Sequence, residues 1–238
     1  MRLSGLGPAL ALVLYLNAGF ASAKNATVTD LPLVEIPAAT TPGRAVVLFL
    51  SGDGGWADLD RDVGKLLAEK GLPVIGVDCL KYFWRRRTPG ETAVDMERAL
   101  RHYLGAWRKD RVVLIGYSFG ASILPFIVTR LPGDLRQRID AVVLLGANWF
   151  ANTEVHIRDW FRDRPDPFAL NVAPEAARLE GTPVLCLYGS EESELSLCPR
   201  LPPGRAEIVR TSGGHHFNGD YPALAATIQA FIDRHGRP

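Results

Sequence analysis

The stretch Gly116-Tyr117-Ser118-Phe119-Gly120 is a G-x-S-x-G sequence. Such a pattern means little unless it directly follows a strand and opens a helix. Here it follows the apolar run Val112–Ile115 and precedes a helical stretch. In that setting it reads as a nucleophile elbow, a sharp turn that strains the serine backbone and lifts its hydroxyl above the sheet. The hydroxyl then sits at the positive end of the following helix. A serine needs a base to become a nucleophile. In this kind of site the chain order is serine, acid, histidine. Of five histidines, His102 falls in a long helix, His156 in the segment after Trp149, and His235 at the chain end. Only His215 and His216, in Ser212-Gly213-Gly214-His215-His216-Phe217, lie between the last strand and the closing helix. His215 is preferred because Gly213-Gly214 gives a tight approach, with His216 as the alternative.

The acid is expected after the penultimate strand, in Gly189-Ser190-Glu191-Glu192-Ser193-Glu194. Spacing of three residues from the glycine selects Glu192, with Glu194 as the rival. Its carboxylate would fix the histidine tautomer and stabilise the imidazolium. An oxyanion hole needs backbone donors. One is the N–H of Phe119, the residue after the serine. The other is assigned to Asp53, with Gly54 as alternative, in Ser51-Gly52-Asp53-Gly54-Gly55-Trp56. That loop has neither the lysine nor the spacing of a phosphate-binding loop, so no nucleotide is expected. Adjacent histidines and the lack of H-E-x-x-H argue against a metal. A serine triad needs no cofactor.

These residues must be positioned by a scaffold. Strands are read at Ala45–Leu50, Pro73–Val77, Val112–Tyr117, Ala141–Leu145, Pro183–Tyr188 and Ala206–Arg210. Helices are read at Leu59–Lys70, Pro89–Trp107, about Phe119–Arg130 and Tyr221–Arg234. Thr88-Pro89-Gly90-Glu91 is a capping-box start for the second helix. The strands are continuous apolar runs, as in a parallel sheet buried on both faces. Strands alternating with helices give a doubly wound α/β fold, and with the elbow at Ser118 it reads as an α/β-hydrolase fold, a mostly parallel central sheet with helices on both faces. Residues 24–44 are expected to hold one or two edge strands. Ligands then sit beyond the carboxyl ends of the strands. The connection of about residues 146–175 is expected to form a short cap, with Trp149-Phe150 and Trp160-Phe161 at its borders.

The chain has 238 residues, 47% hydrophobic and 22% charged, an ordinary globular composition. Arg2 is the only charge before Lys24, Leu6–Phe20 is almost wholly apolar, and Ala21-Ser22-Ala23 is a small-x-small cleavage site. Residues 1–23 therefore read as a signal peptide, and residues 24–238 as one α/β-hydrolase domain. Removing the leader takes away one of 27 basic residues and none of the 26 acidic ones. The resulting neutrality gives no reason to expect nucleic acid. Cys79, Cys186 and Cys198 all survive cleavage. Cys186–Cys198 is the preferred pair because both flank one strand-to-loop junction, and three buried thiols are the alternative.

The sequences Ser51-Gly52-Asp53-Gly54-Gly55-Trp56, Tyr82-Phe83-Trp84 with Arg87-Thr88-Pro89, Gly116-Tyr117-Ser118-Phe119-Gly120-Ala121, Leu197-Cys198-Pro199 and Gly214-His215-His216-Phe217 together resemble the bacterial virulence protein VirJ family, which includes the carboxyl-terminal domain of AcvB. The resemblance runs from about residue 45 to 235. It departs at Ser122, where the family pattern leads one to expect an acid. It implies a periplasmic protein of a Gram-negative bacterium. It also implies a serine esterase that hydrolyses aminoacyl-phosphatidylglycerol (alanyl- or lysyl-) at the membrane surface, with Ser118 as the family's serine and the His215-His216 pair carrying its histidine. The family name ties it to export of virulence substrates, so a secretion-system partner is a further expectation. The competing readings are a non-catalytic binding module for secretion and a general carboxylesterase. The arginines Arg85-Arg86-Arg87 read in two ways, as partners for anionic lipid head groups or as a solvated loop with helix-capping charges.

Overall fold

The computed structural model describes residues 27–38, 43–154 and 167–236. The expected leader, His156 and Trp160-Phe161 lie outside these residues. Seven strands form the main sheet: β1 (Leu33–Ile36), β2 (Ala45–Leu50), β3 (Val74–Val77), β4 (Arg111–Tyr117), β5 (Ile139–Leu145), β8 (Val184–Gly189) and β9 (Glu207–Thr211). Their spatial order is β1-β3-β2-β4-β5-β8-β9. The edge strand β1 is antiparallel to β3, and every other pairing is parallel. The segment before β2 thus supplies one edge strand among the described residues.

Side chains alternate across each strand and feed two cores. On one face Val46, Leu48 and Leu50 pack with Met96 and Leu100 of α3 (Pro89–Ala106) and with Leu124 and Ile127 of α4 (Phe119–Val128). On the other, Val47 and Phe49 pack with Val63 and Leu67 of α1 (Asp58–Glu69) and with Ile228 and Phe231 of α7 (Tyr221–His235). Each such fully buried aliphatic or aromatic side chain contributes about 1.5–3 kcal/mol, which is why these periodic apolar faces settle on the sheet. The start of α3 carries the expected box. Thr88 Oγ1 accepts from the Glu91 N–H, and Glu91 accepts from the Thr88 N–H at 2.8 Å.

One feature differs from the sequence reading. A short helix, α2 (Cys79–Tyr82), follows β3 directly, because the Asp78 carboxylate accepts from the Lys81 N–H and caps it. The described part of the connection between β5 and β8 falls in the region expected to form a cap. It includes the two-residue antiparallel pair β6 (Phe150–Ala151) and β7 (Leu170–Asn171), and then α6 (Val172–Ala177). Phe150 and Ala151 are buried. Gly133–Arg136 forms the short α5 before β5. Cys186 on β8 is disulfide-bonded to Cys198, and Cys79 is a free, buried thiol.

Candidate active site

Ser118 lies between β4 and α4 with φ 53° and ψ −114°. That left-handed backbone is strained for a residue with a side chain. The flanking glycines explain how the turn closes. A Cβ on Gly116 would lie 2.6 Å from the Ala121 backbone, and one on Gly120 would lie 2.4 Å from the Leu50 carbonyl oxygen. Strand and helix pass so closely that no side chain fits at either position. The Ser118 N–H donates to the Leu145 carbonyl at 2.8 Å, fixing the elbow to β5. Ser122 adds a second tie. Its hydroxyl donates to the Ser118 carbonyl and accepts from the Asn148 N–H, both at 3.0 Å. The residue that departs from the family pattern therefore fastens the loop after β5 to the elbow helix.

The three residues singled out for chemistry lie in one hydrogen-bonded line. His215 Nε2 is 2.7 Å from Ser118 Oγ, and His215 Nδ1 is 2.5 Å from Glu192 Oε2. The other Glu192 oxygen accepts from the Gly189 N–H at 3.2 Å. Burial alone would raise the Glu192 carboxyl. The hydrogen bond and charge of His215, with the Gly189 N–H, outweigh it and hold the group below its ordinary value. The acid and histidine loops are joined through the Glu191 N–H, which donates to the Gly213 carbonyl at 3.0 Å. Glu194 is exposed, and its carbonyl accepts from Arg200. His216 is also exposed, with its Nδ1 3.3 Å from the Tyr117 hydroxyl. The structure therefore brings Glu192 and His215 to Ser118, and not their rivals.

The loop after β2 leans over the elbow. The Ser51 carbonyl accepts from the Gly120 N–H at 3.1 Å, and the Ser51 hydroxyl accepts from the Cys79 N–H at 2.9 Å. A Cβ on Gly52 would lie 3.5 Å from the Ser118 Cβ, so the Gly52-Asp53 backbone passes beside the serine. The Gly55 N–H donates to the Gly52 carbonyl, which puts Asp53 and Gly54 at the tip of a turn. Among the described residues, the N–H groups of Asp53 and Phe119 donate to no backbone carbonyl outside regular elements. Phe119 opens α4, where the first N–H groups have no partner within the helix. The Phe119 N–H, directly after Ser118, is thus available as one oxyanion donor, and Asp53 and Gly54, neither of whose N–H groups makes such a bond, are the two candidates for the other. Among the described residues, no group of three or more His, Cys, Asp or Glu is arranged to hold a metal ion.

Asp60 was not singled out by its sequence. It is 3% exposed, on the first turn of α1, and its Oδ1 has no hydrogen-bond partner. Burial pushes its carboxyl up to about 8, against the pull of the Ala57, Asp60 and Gly52 N–H groups. Its only sequence signal is an acid in a helical first turn just after the glycine loop, which ordinarily marks an exposed charge near a helix terminus.

The model of the family described as bacterial virulence protein (VirJ) matches residues 44–235. No curated protein matches the chain. Solved structures with the same fold include an esterase of Pyrococcus furiosus, at 16% identity and TM-score 0.59, covering 89% of this chain and 96% of that one. MenH from S. aureus aligns at 12% identity and TM-score 0.61, covering 86% of this chain and 99% of that one. Proline iminopeptidase of Mycobacterium smegmatis aligns at 13% identity and TM-score 0.58, covering 85% and 94%. At these identities the likeness establishes an α/β-hydrolase fold. With the family match spanning nearly all the described residues, the chain belongs to the VirJ family of bacterial virulence proteins.

Proposed function

We propose that the protein is a periplasmic serine esterase that hydrolyses the aminoacyl ester of aminoacyl-phosphatidylglycerol. The observation that carries the reading is the line Ser118–His215–Glu192, set on a strained elbow with hydrogen-bond spacing throughout. Ser118 Oγ attacks the ester carbonyl while His215 Nε2 takes its proton. Glu192 holds the Nδ1–H and offsets the imidazolium charge. The oxyanion is met by the Phe119 and Asp53 N–H groups, each such donor supplying about 3 kcal/mol of barrier reduction. The ester bond breaks, and the glycerol oxygen of the lipid leaves with the proton from His215. Water, deprotonated by the same nitrogen, then attacks the acyl-serine. The amino acid is released and Ser118 regains its proton.

The family membership and the fold of the esterases it resembles support the reaction class. The signal-peptide pattern of residues 1–23 supports the compartment. The test is amino-acid release from alanyl- and lysyl-phosphatidylglycerol in detergent micelles, by the mature chain and by Ser118→Ala. Release by the first and not by the second is expected. Turnover of small soluble esters without release from either lipid would make it a general carboxylesterase. No turnover of any ester would leave a binding module.

A further inference from the structure

Of the two aromatics at the start of the connection after β5, Phe150 is buried and Trp149 half-buried. The exposed aromatics lie elsewhere on the same rim. Among the described residues four large hydrophobic side chains are exposed, and two of them, Trp84 at 58% and Phe168 at 62%, flank one arginine. Arg86 is two residues from Trp84, and its guanidinium lies 4.5 Å from the centre of the Phe168 ring. Arg86 also reaches Glu154 at 3.4 Å, and the Arg87 N–H donates to the Thr153 carbonyl. The segments after β3 and after β5 are thus held side by side.

A buried ring contact links the segment that carries this patch to the candidate active site. Phe83, the residue before Trp84, packs edge-on against Phe119 with ring centres 4.8 Å apart, and Phe119 directly follows Ser118. A second aromatic–arginine pair stands on the loops after β5 and β8, where the Arg200 guanidinium lies 5.3 Å from the centre of the Trp149 ring. All these residues follow carboxyl ends of strands, so they ring the edge of the sheet where Ser118 lies.

The charges on the patch are not all spent internally. Arg87 pairs with Asp95 and Arg86 with Glu154. Arg85 is exposed, and neither Arg85 nor Arg200 forms an ion pair among the described residues. Indole and phenyl rings beside guanidinium groups suit the boundary between head groups and acyl chains. The rings bury at the interface while the cations meet phosphate. An acidic protein would satisfy the arginines but gives no reason for two protruding aromatics next to a hydrolase site.

We infer that Trp84, Arg85, Arg86 and Phe168 form a docking surface for an anionic phospholipid bilayer, which delivers the lipid ester to Ser118. The inference rests on the lipid-esterase reading above and adds how the enzyme meets its substrate. The test is flotation of the mature chain with vesicles of phosphatidylglycerol and with vesicles of phosphatidylcholine, alongside Trp84→Ala, Arg85→Glu and Phe168→Ala. Turnover of a small soluble ester reports that each variant is folded.

The expected result is salt-sensitive binding to phosphatidylglycerol vesicles, little binding to phosphatidylcholine, and binding weakened about tenfold by Arg85→Glu. Trp84→Ala and Phe168→Ala weaken binding too, with soluble-ester turnover kept. Equal binding to both vesicles, or variants that bind like the parent chain, would overturn the docking surface. Release of amino acid from micellar lipid without vesicle binding would overturn it while leaving the esterase reading intact. Vesicle binding with no lipid hydrolysis would leave the surface in place and remove the esterase reading.

Discussion

Replacing Asp60 by asparagine should remove a pH dependence from folding that the wild-type chain carries. The carboxyl is held at about 8 in the folded chain, against an ordinary value of 3.8. A carboxyl raised on folding takes up a proton as the chain folds. Its contribution is fully present below the unfolded value and is lost as pH rises through the folded one. Each pH unit in that window is worth about 1.4 kcal/mol, so between pH 4 and pH 7 this group alone takes away about 4 kcal/mol. Asparagine keeps the shape without the charge. Urea unfolding of both proteins at several pH values from 4.5 to 7.5 isolates the effect, because all other titrating groups are shared. The stability of Asp60→Asn relative to the parent should climb steadily across that range. Parallel stability curves would mean that the backbone N–H groups of Ala57, Asp60 and Gly52 keep Asp60 ionised, and the reasoning would fail.

Other changes have equally definite outcomes. Glu192→Gln keeps the shape but presents the wrong partner to His215, so kcat for an ester should fall by about four orders of magnitude; a change under tenfold would remove Glu192 from the mechanism. His215→Ala should abolish ester turnover, while His216→Ala, at an exposed side chain outside the Ser118–Glu192 line, should stay within a few-fold of the parent. Kinetics of the two variants side by side check this. Breaking the Cys186–Cys198 bond, which closes a sequence separation of 12, with paired serine substitutions should lower stability by about 3 kcal/mol in denaturant unfolding.

The sequence made some parts of this molecule legible because their causes are local. Gly116 and Gly120 are required by contacts within a few residues of Ser118 or with the adjacent strand, so a five-residue pattern in its strand–helix setting is informative. The capping box at Thr88 and Glu91 is likewise self-contained. Choosing Glu192 among three nearby glutamates used only its spacing from Gly189. The structure adds the reason for that spacing, since the Gly189 N–H turns the carboxylate toward His215. What was not legible depends on distant packing. Asp60 looks like an ordinary first-turn acid until α1 is laid beneath the glycine loop. Phe168 and Arg86 are 82 residues apart and meet only when the segments after β3 and β5 share one rim. The burial of Phe150 likewise accompanies its pairing with Asn171 of β7, far along the chain.

Ester hydrolysis by this protein requires Ser118 to be an activated nucleophile. Incubating the mature chain with a fluorophosphonate and mapping the product by mass spectrometry answers this without any assumption about substrate. The expected result is one covalent adduct, on Ser118, that is absent from Ser118→Ala and strongly slowed in His215→Ala. An unmodified Ser118, or an adduct formed as fast without His215, would contradict it.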